Sequence, residues 1–502
     1  MPEYIKINPK DNVAVALVPL AAGTEISVDQ QMIVLLQDIP QAHKFALKDI
    51  APGEHVVKYG SSIGRAIQQI RAGEHVHTHN LQTNLDSTLT YVYHPQPAPS
   101  AIRKPRTPAQ SFMGYLRPDG QAGIRNEIWV LPTVGCTNQT AVAIVERSRE
   151  WIRNQPWAEQ IDGVYAFTHP FGCSQLGADH HNTQKILTAL AKHPNAAGVL
   201  FVGLGCENNQ VEQVKKCLGN YDAERIKFLV AQEVDDEVEV GFHLVKVLAE
   251  QASHYHRQAL PLSYLKIGLK CGGSDGLSGI TANPLIGWIS DFIINAGGSS
   301  VLTEVPEMFG AEHILMNRAI DESVFTDIVQ LINDFKQYFI NHNQPVYENP
   351  SPGNREGGIT TLEDKSLGCT EKGGSSQVVG VHQYGETVTK PGLNLLCSPG
   401  NDMVAVTALA AAGCQLILFS TGRGTPLGTC VPVIKISSNN ELYHRKPHWI
   451  DFNAGVLTEG KPITDIAEQL YQLVIATANG KPTTAELMNF REIAIWKDGV
   501  TL

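Results

Sequence analysis

Ile128-Trp129-Val130-Leu131-Pro132-Thr133-Val134-Gly135-Cys136-Thr137-Asn138 decides the fold: a short apolar run, then a polar loop, then a helical pattern over Thr140–Trp151. The same succession recurs. Val164–Phe167 is a strand ahead of a helix over Thr183–Ala191. Gly198–Gly203 and Phe228–Val230 are further strands, the second followed by a helix over Val238–Ser253. Another unit opens at Leu265–Leu269 and runs through helices at Pro284–Ala296 and Asp321–Ile340. Its later strands, Gly392–Leu396 and Leu416–Phe419, flank a helix over Asp402–Ala412. Such alternation predicts parallel sheets covered by helices. The expected fold class is multidomain, with an α/β body of Rossmann-like units.

Upstream, five prolines in residues 94–110 predict an extended linker. The module before it reads as mostly β, with strands at Val13–Val18, Ile33–Leu36 and His55–Tyr59. Ile63, Ala66, Ile67 and Ile70 fall at helical spacing and predict one helix, stopped at Gly73. The expected divisions are a module at 1–93, a linker at 94–110, and α/β domains at 111–258 and 259–502. A length of 502 residues agrees with several cores.

Composition narrows the function classes. Lys and Arg number 39 against 50 Asp and Glu, 39 − 50 = −11, with no long basic run, so a nucleic-acid partner is not expected. No window of roughly eighteen apolar residues occurs, so no membrane partner is expected either. Met1-Pro2-Glu3-Tyr4 opens without the basic and apolar segments of a leader, and the nine cysteines form no compact framework. Both point to a reducing, cytoplasmic setting. The 44 glycines cluster after apolar runs, where the backbone can approach a ligand closely.

In α/β sheets ligands bind beyond the carboxyl ends of strands. Cys136, Cys173 with His169, Cys206 with Glu207, and Cys271 all fall at such ends. Each cysteine alone is equally readable as a small buried hydrophobe; four at equivalent positions suggest a shared site. No CxxC pair favours a zinc ribbon. The loop Cys271-Gly272-Gly273-Ser274-Asp275-Gly276 precedes a helix and could offer N–H groups to an anion. Arg423, in Ser420-Thr421-Gly422-Arg423-Gly424-Thr425, could hold a carboxylate through two parallel hydrogen bonds. Residues 349–358, with Asn354, form a third glycine-rich loop. None has the phosphate-binding GxxxxGK[ST] form. Finally His75, His77 and His79, if extended, line one face as a metal or acid–base cluster, with Asn80 beside them. A solvated, histidine-rich edge strand is the other reading.

The segment Gly73–Asn80 resembles the close of an SAF domain, a β-clip fold. The loops at 203–207, 271–284, 349–358 and 420–428 resemble the body of the altronate/galactarate dehydratase family, over essentially the whole chain and in the family's order. The His-Val-His-Thr-His-Asn stretch is similar to members acting on altronate; galactarate enzymes differ there. Two-subunit sulfolactate sulfo-lyases resemble the two parts as separate chains. The resemblance implies dehydration of the sugar acid D-altronate to 2-dehydro-3-deoxy-D-gluconate with Fe(2+), Mn(2+) being a substitute.

It also implies roles. His77 and His79 would bind metal or move protons, and Asp275 and His169 would join them in catalysis. Cys136, Cys173, Cys206 and Cys271 would supply further metal ligands. Asn80, Gly272, Gly273, Ser274, Asn283, Asn354, Arg423 and Thr425 would bind substrate. An iron–sulfur cluster on the cysteines, galactarate or sulfolactate as substrate, and a non-catalytic sugar-acid binder are the alternatives. A homo-oligomer stays open.

Overall fold

The computed structural model describes residues 2–97, 99 and 103–501, so part of the proline-rich linker lies outside the described residues. The N-terminal domain is all β. Tyr4–Ile5, Val13–Ala16, Lys44–Ala46 and His75–Val76 form one antiparallel sheet in that order. A hairpin, Glu25–Val28 with Gln31–Val34, and a three-stranded sheet complete it.

The expected helix at residues 63–70 is a strand, Ser61–Ala66, paired with His55–Lys58 and Leu81–Gln82. Two apolar residues three apart, Ile63 and Ala66, satisfied the helical count by chance. The backbone reverses at Tyr59-Gly60, both with positive φ, and forms a hairpin. Gly64 (φ 138) then lies so close to its neighbour that a Cβ would sit 2.2 Å from the Gln82 carbonyl. Tertiary pairing overrode the local pattern.

Beyond the linker, Gly163–Ala166, Glu127–Pro132, Ala196–Gly203 and Ile226–Val230 form a four-stranded parallel sheet in that order. Helices Asn138–Ile152, Gly177–Ala191 and Glu237–Ala252 cover it. Every residue of Ala196–Gly203 is buried, as two covered faces require. The C-terminal domain carries a seven-stranded parallel sheet with Lys266–Cys271 at its centre, between Ser299–Leu302 and Leu416–Thr421. A small antiparallel sheet of Ser111–Leu116, Ala122–Gly123 and Gln258–Pro261 ties the start of one α/β domain to the start of the next. The expected multidomain α/β body with parallel sheets is therefore present. No helix of the described residues is long and apolar enough to cross a membrane.

Candidate active site

The central strand Lys266–Cys271 delivers the loop 271–283 to the sheet's carboxyl edge, where the N-terminal domain docks. The glycines there serve that docking. At Gly276 a Cβ would meet the Ala42 carbonyl at 2.2 Å, and at Gly358 (φ +93) the same carbonyl at 2.3 Å. Close approach of another domain's backbone, more than of a ligand, explains these clusters.

The docked face presents four imidazoles. His43 and His75 meet through Nδ1 and Nε2 at 2.9 Å, and His43 Nε2 reaches the Glu356 carbonyl at 3.1 Å. A carbonyl only accepts, so His43 Nε2 carries a proton, and His75 Nε2 donates to His43 Nδ1 when both are neutral. The His77 ring lies 5.1 Å from His43 and 5.5 Å from His75, centroid to centroid, and His79 lies 5.5 Å from His75. Burial first, then mutual repulsion and Lys44, hold His75 down to about 3; burial and Lys44 hold His77 down to about 4. His75 and His77 are therefore neutral at neutral pH, with lone pairs available.

The expected extended run through His75–Asn80 is not found. Only His75–Val76 is strand, and the chain then turns, with Asn80 N and Leu81 N both donating to the His77 carbonyl. Asn80 is fully buried and builds that turn: its Oδ1 accepts from His77 N at 2.9 Å and its Nδ2 donates to the His75 carbonyl at 2.8 Å. Asn80 thus presents the histidines and is not free for a substrate.

Behind His77 lies a buried charge cluster. His77 Nδ1 stands 2.9 Å from Thr360 Oγ1, which also accepts from Lys44 Nζ at 2.5 Å. Lys44 and Lys58 both pair with Asp364 at 2.9 Å, all three side chains almost wholly buried. Burial brings Lys44 down to about 8; at Lys58 burial is the largest influence, but Asp364 and Tyr59 together outweigh it and raise the group. The two lysines outweigh burial at Asp364 too and hold it below the usual carboxylate range.

A cleft of about 260 Å³ is lined by Gln41, Ala42, Asp275, Glu356, Arg423 and Arg445 among others; it reaches the residue before His43 and the residue whose carbonyl meets His43, while the imidazoles themselves are not part of its lining. Arg423 is half-exposed and pairs with Glu356 at 3.0 Å. Asp275 is fully engaged: Leu277 N, Ser278, Ser438 and Asn439 all donate to it, the shortest at 2.7 Å. Asp275 therefore fastens three loops, as Asn283 does between Ser420 and Gly368 and Asn354 between Ser274 and Lys365. Thr425 accepts from Leu427 N in its own loop. Gly273 accepts from Gly422 N and Arg423 N, and Gly272 lies against Asp402. Ser274 Oγ is buried without a hydrogen-bond partner in a narrow space beside Lys58, Asp364 and Lys365.

The other expected residues fall elsewhere. His169 is buried in the second domain, with Nε2 on the Pro132 carbonyl (2.8 Å) and Nδ1 accepting from Phe171 N (3.2 Å). Both nitrogens are occupied within its own loops, which leaves the ring no free nitrogen for the catalytic role expected of it. Cys136, Cys173 and Cys206 are exposed on that domain, whereas Cys271, expected to share a site with them, is buried. Cys271 joins none of them; its sulfur lies 3.0 Å from Glu307 Oε2 and 3.4 Å from Cys369 Sγ. That buried knot also holds Lys270, Lys365, Lys372, Glu304 and, at its edge, Asp402.

Sequence reading missed His43, which stands 32 residues from His75, and the knot's Glu304, Glu307 and Cys369. A helix whose residues are all buried, yet which reads Leu362-Glu363-Asp364-Lys365-Ser366-Leu367-Gly368-Cys369-Thr370, was the available signal.

Two places offer metal donors. Cys271, Glu307 and Cys369 bring their donor atoms within 4.8 Å of one another, but Lys372 Nζ stands 2.8 Å from Cys271 Sγ and Lys365 occupies Glu307. A cation would face three buried ammonium groups, so this knot fits one poorly. The histidines fit better. They are neutral, and two nitrogens each about 2.1 Å from a cation at a right angle stand about 3.0 Å apart. His43 Nδ1 and His75 Nε2 are 2.9 Å apart.

Comparison with known proteins gives three family models. "Altronate/galactarate dehydratase SAF domain" matches residues 2–84, "D-galactarate dehydratase/Altronate hydrolase, second domain" matches 114–253, and "D-galactarate/Altronate dehydratase, C-terminal" matches 262–501. The chain is 54% identical to altronate dehydratase of Escherichia coli (strain K12) over 504 residues, and 51% identical to that of Bacillus subtilis (strain 168) over 503, covering 100% of each chain in both cases. It is 32% identical to galactarate dehydratase (L-threo-forming) of Escherichia coli (strain K12), covering 96% of this chain and 94% of that one.

Proposed function

Because the chain belongs to the D-galactarate/altronate dehydratase family and is a hydro-lyase that dehydrates altronate, we propose that the reaction runs where its N-terminal histidines face the C-terminal loops. The observation carrying this reading is the convergence of His43, His75 and His77 on Glu356 and Thr360 beside a small cleft with Arg423.

Removing water from an aldonate takes a proton from C2, next to the carboxylate, and hydroxide from C3. The proton loss builds charge onto an already anionic group, which a site must neutralise. Arg423 can leave the exposed Glu356 and take the substrate carboxylate. His77 is the proton carrier, backed by Thr360 and Lys44. An anionic substrate beside it raises its affinity for protons from the depressed resting value. His79, exposed at the turn, serves the leaving hydroxyl. A divalent cation such as Fe(2+), held by His43 and His75 after release of their mutual hydrogen bond, would supply Lewis acidity to the carboxylate or the C3 oxygen.

Three results are expected. Altronate gives a higher kcat/KM than galactarate under one metal condition; equal or better turnover of galactarate overturns the substrate reading. Arg423→Ala raises KM for altronate by about 10–100-fold with kcat nearly kept, the worth of a hydrogen bond to a charged group; unchanged KM removes Arg423 from the site. Chelation removes both activity and protein-bound metal, Fe(2+) restores both, and His75→Ala binds less metal by elemental analysis. Full turnover of metal-free protein contradicts the cation's role.

A further inference from the structure

Three Gly-Cys pairs, Gly135-Cys136, Gly172-Cys173 and Gly205-Cys206, follow three adjacent parallel strands of the second domain: Glu127–Pro132, Gly163–Ala166 and Ala196–Gly203. The function described above uses none of them. All three thiols are free and exposed.

The loops carrying them are sewn together. Gly135 N donates to the Phe171 carbonyl, joining the first loop to the second. Asn209 N donates to the Gly172 carbonyl and Ser174 N to Asn208 Oδ1, joining the second to the third. Thr133 Oγ1 donates to Glu207 Oε1 at 2.7 Å, joining the third to the first. Each cysteine is thus flanked by a residue bonded to, or within three residues of a bond to, the other two loops. Gly172 (φ +102) shows how tight the seam is: a Cβ would lie 2.1 Å from the Thr133 carbonyl. The first strand lies inside the sheet order, between the second and third, so the three loops leave adjacent strands at one carboxyl edge, the place where α/β sheets take ligands.

Nearby side chains do not complete a single-ion site. His169 has both nitrogens occupied, and Glu207 accepts from Thr133, Leu204 N and Gly205 N. The sulfurs have only weak partners, Gln232 Nε2 at 3.6 Å from Cys206 and Ser174 Oγ at 3.9 Å from Cys173. A tetrahedral zinc with Zn–S of about 2.3 Å needs sulfurs about 3.8 Å apart and a fourth ligand. Among the described residues the three thiols do not gather within 4.8 Å of one another, whereas Cys271, Glu307 and Cys369 do. Three exposed thiols not gathered for one ion, on loops bonded to one another at one sheet edge, leave room for a larger inorganic core whose separate irons each take one sulfur.

We propose that Cys136, Cys173 and Cys206 bind an iron–sulfur cluster through three thiolates, leaving one iron without a protein ligand and open to an oxygen donor. The site takes Cys271 out of the set and is independent of the histidine junction.

The test is anaerobic reconstitution of the full-length protein with ferric iron, sulfide and a thiol reductant, read by iron and acid-labile sulfide content and by visible absorption. Cys136→Ser, Cys173→Ser and Cys206→Ser are compared with Cys217→Ser, an exposed cysteine on the helix Val211–Leu218. Near-equal iron and sulfide with a visible band, lost by more than half in each of the three variants and kept in Cys217→Ser and His77→Ala, is the expected result. Melting temperatures of the three stay at the parent value, because the thiols are exposed. Absence of bound sulfide after reconstitution overturns the proposal, as does a cluster that survives the three substitutions. Binding of one zinc and no cluster, under competition, also overturns it.

Discussion

His77→Ala is expected to lower kcat on altronate by about two to four orders of magnitude, the usual worth of a positioned acid–base group. The melting temperature should hardly move. The ring is only part-buried, and its one hydrogen-bond contact is with Thr360. His55→Ala is the matched control: that ring is exposed on the same domain and touches Ser62, far in sequence from the junction loops. It should keep parent kinetics. Steady-state rates beside thermal melts separate the cases. A His77→Ala enzyme with near-parent kcat/KM would make the histidines a solvated edge.

The second large effect concerns the docking of the N-terminal domain. Asp364→Ala leaves Lys44 and Lys58 buried with no counter-charge, and breaking a buried pair in this way costs about 3–5 kcal/mol. Because both lysines belong to the N-terminal domain and Asp364 to the body, the loss should appear as an early, separate transition in urea. Replacing all three charges, with Lys44→Met, Lys58→Met and Asp364→Leu, should recover most of it, since a dry apolar patch carries no desolvation penalty. A loss below about 1 kcal/mol in the single variant would make the triad a weak contact.

The same carboxylate sets an acid limit. Its proton affinity is depressed in the fold relative to the unfolded chain, so the unfolded state binds more protons as pH falls. The triad's contribution is complete above the ordinary Asp range, about pH 4–5, and declines below it. Urea midpoints measured from pH 7 to pH 3 should fall for the parent, and more shallowly for the triple apolar variant.

How much of this was legible beforehand depended on the kind of signal. The α/β domains were readable because their strands are buried on both faces and appear as unbroken apolar runs, as in Ala196–Gly203. The strand at Ser61–Ala66 was not, because a short hairpin is fixed by pairing with residues 55–58 and 81–82 and leaves little local period. The alternating histidines drew notice to His77 and His79 by their spacing, although the extended run that the spacing implied is a turn. His43 did not, since only the pairing of Lys44–Ala46 with His75–Val76 carries it to them. Asp275, Asn283 and Asn354 stood in the right loops, but polar residues in a loop look alike whether they meet a ligand or hold a neighbouring loop. The hydrogen bonds decide for the second role. Cys271 and Cys136 both follow strands, and only the sheet assignments separate the buried thiol from the exposed one.

The most direct test of the proposed active site is a crystal structure of the full-length His77→Ala protein soaked with altronate, in which slow turnover lets the substrate accumulate. The substrate carboxylate is predicted at Arg423, with C2 directed at the vacated His77 position and the C3 hydroxyl at His79. Altronate found instead at the cysteine loops of the second domain, with the junction cleft empty, would contradict the account.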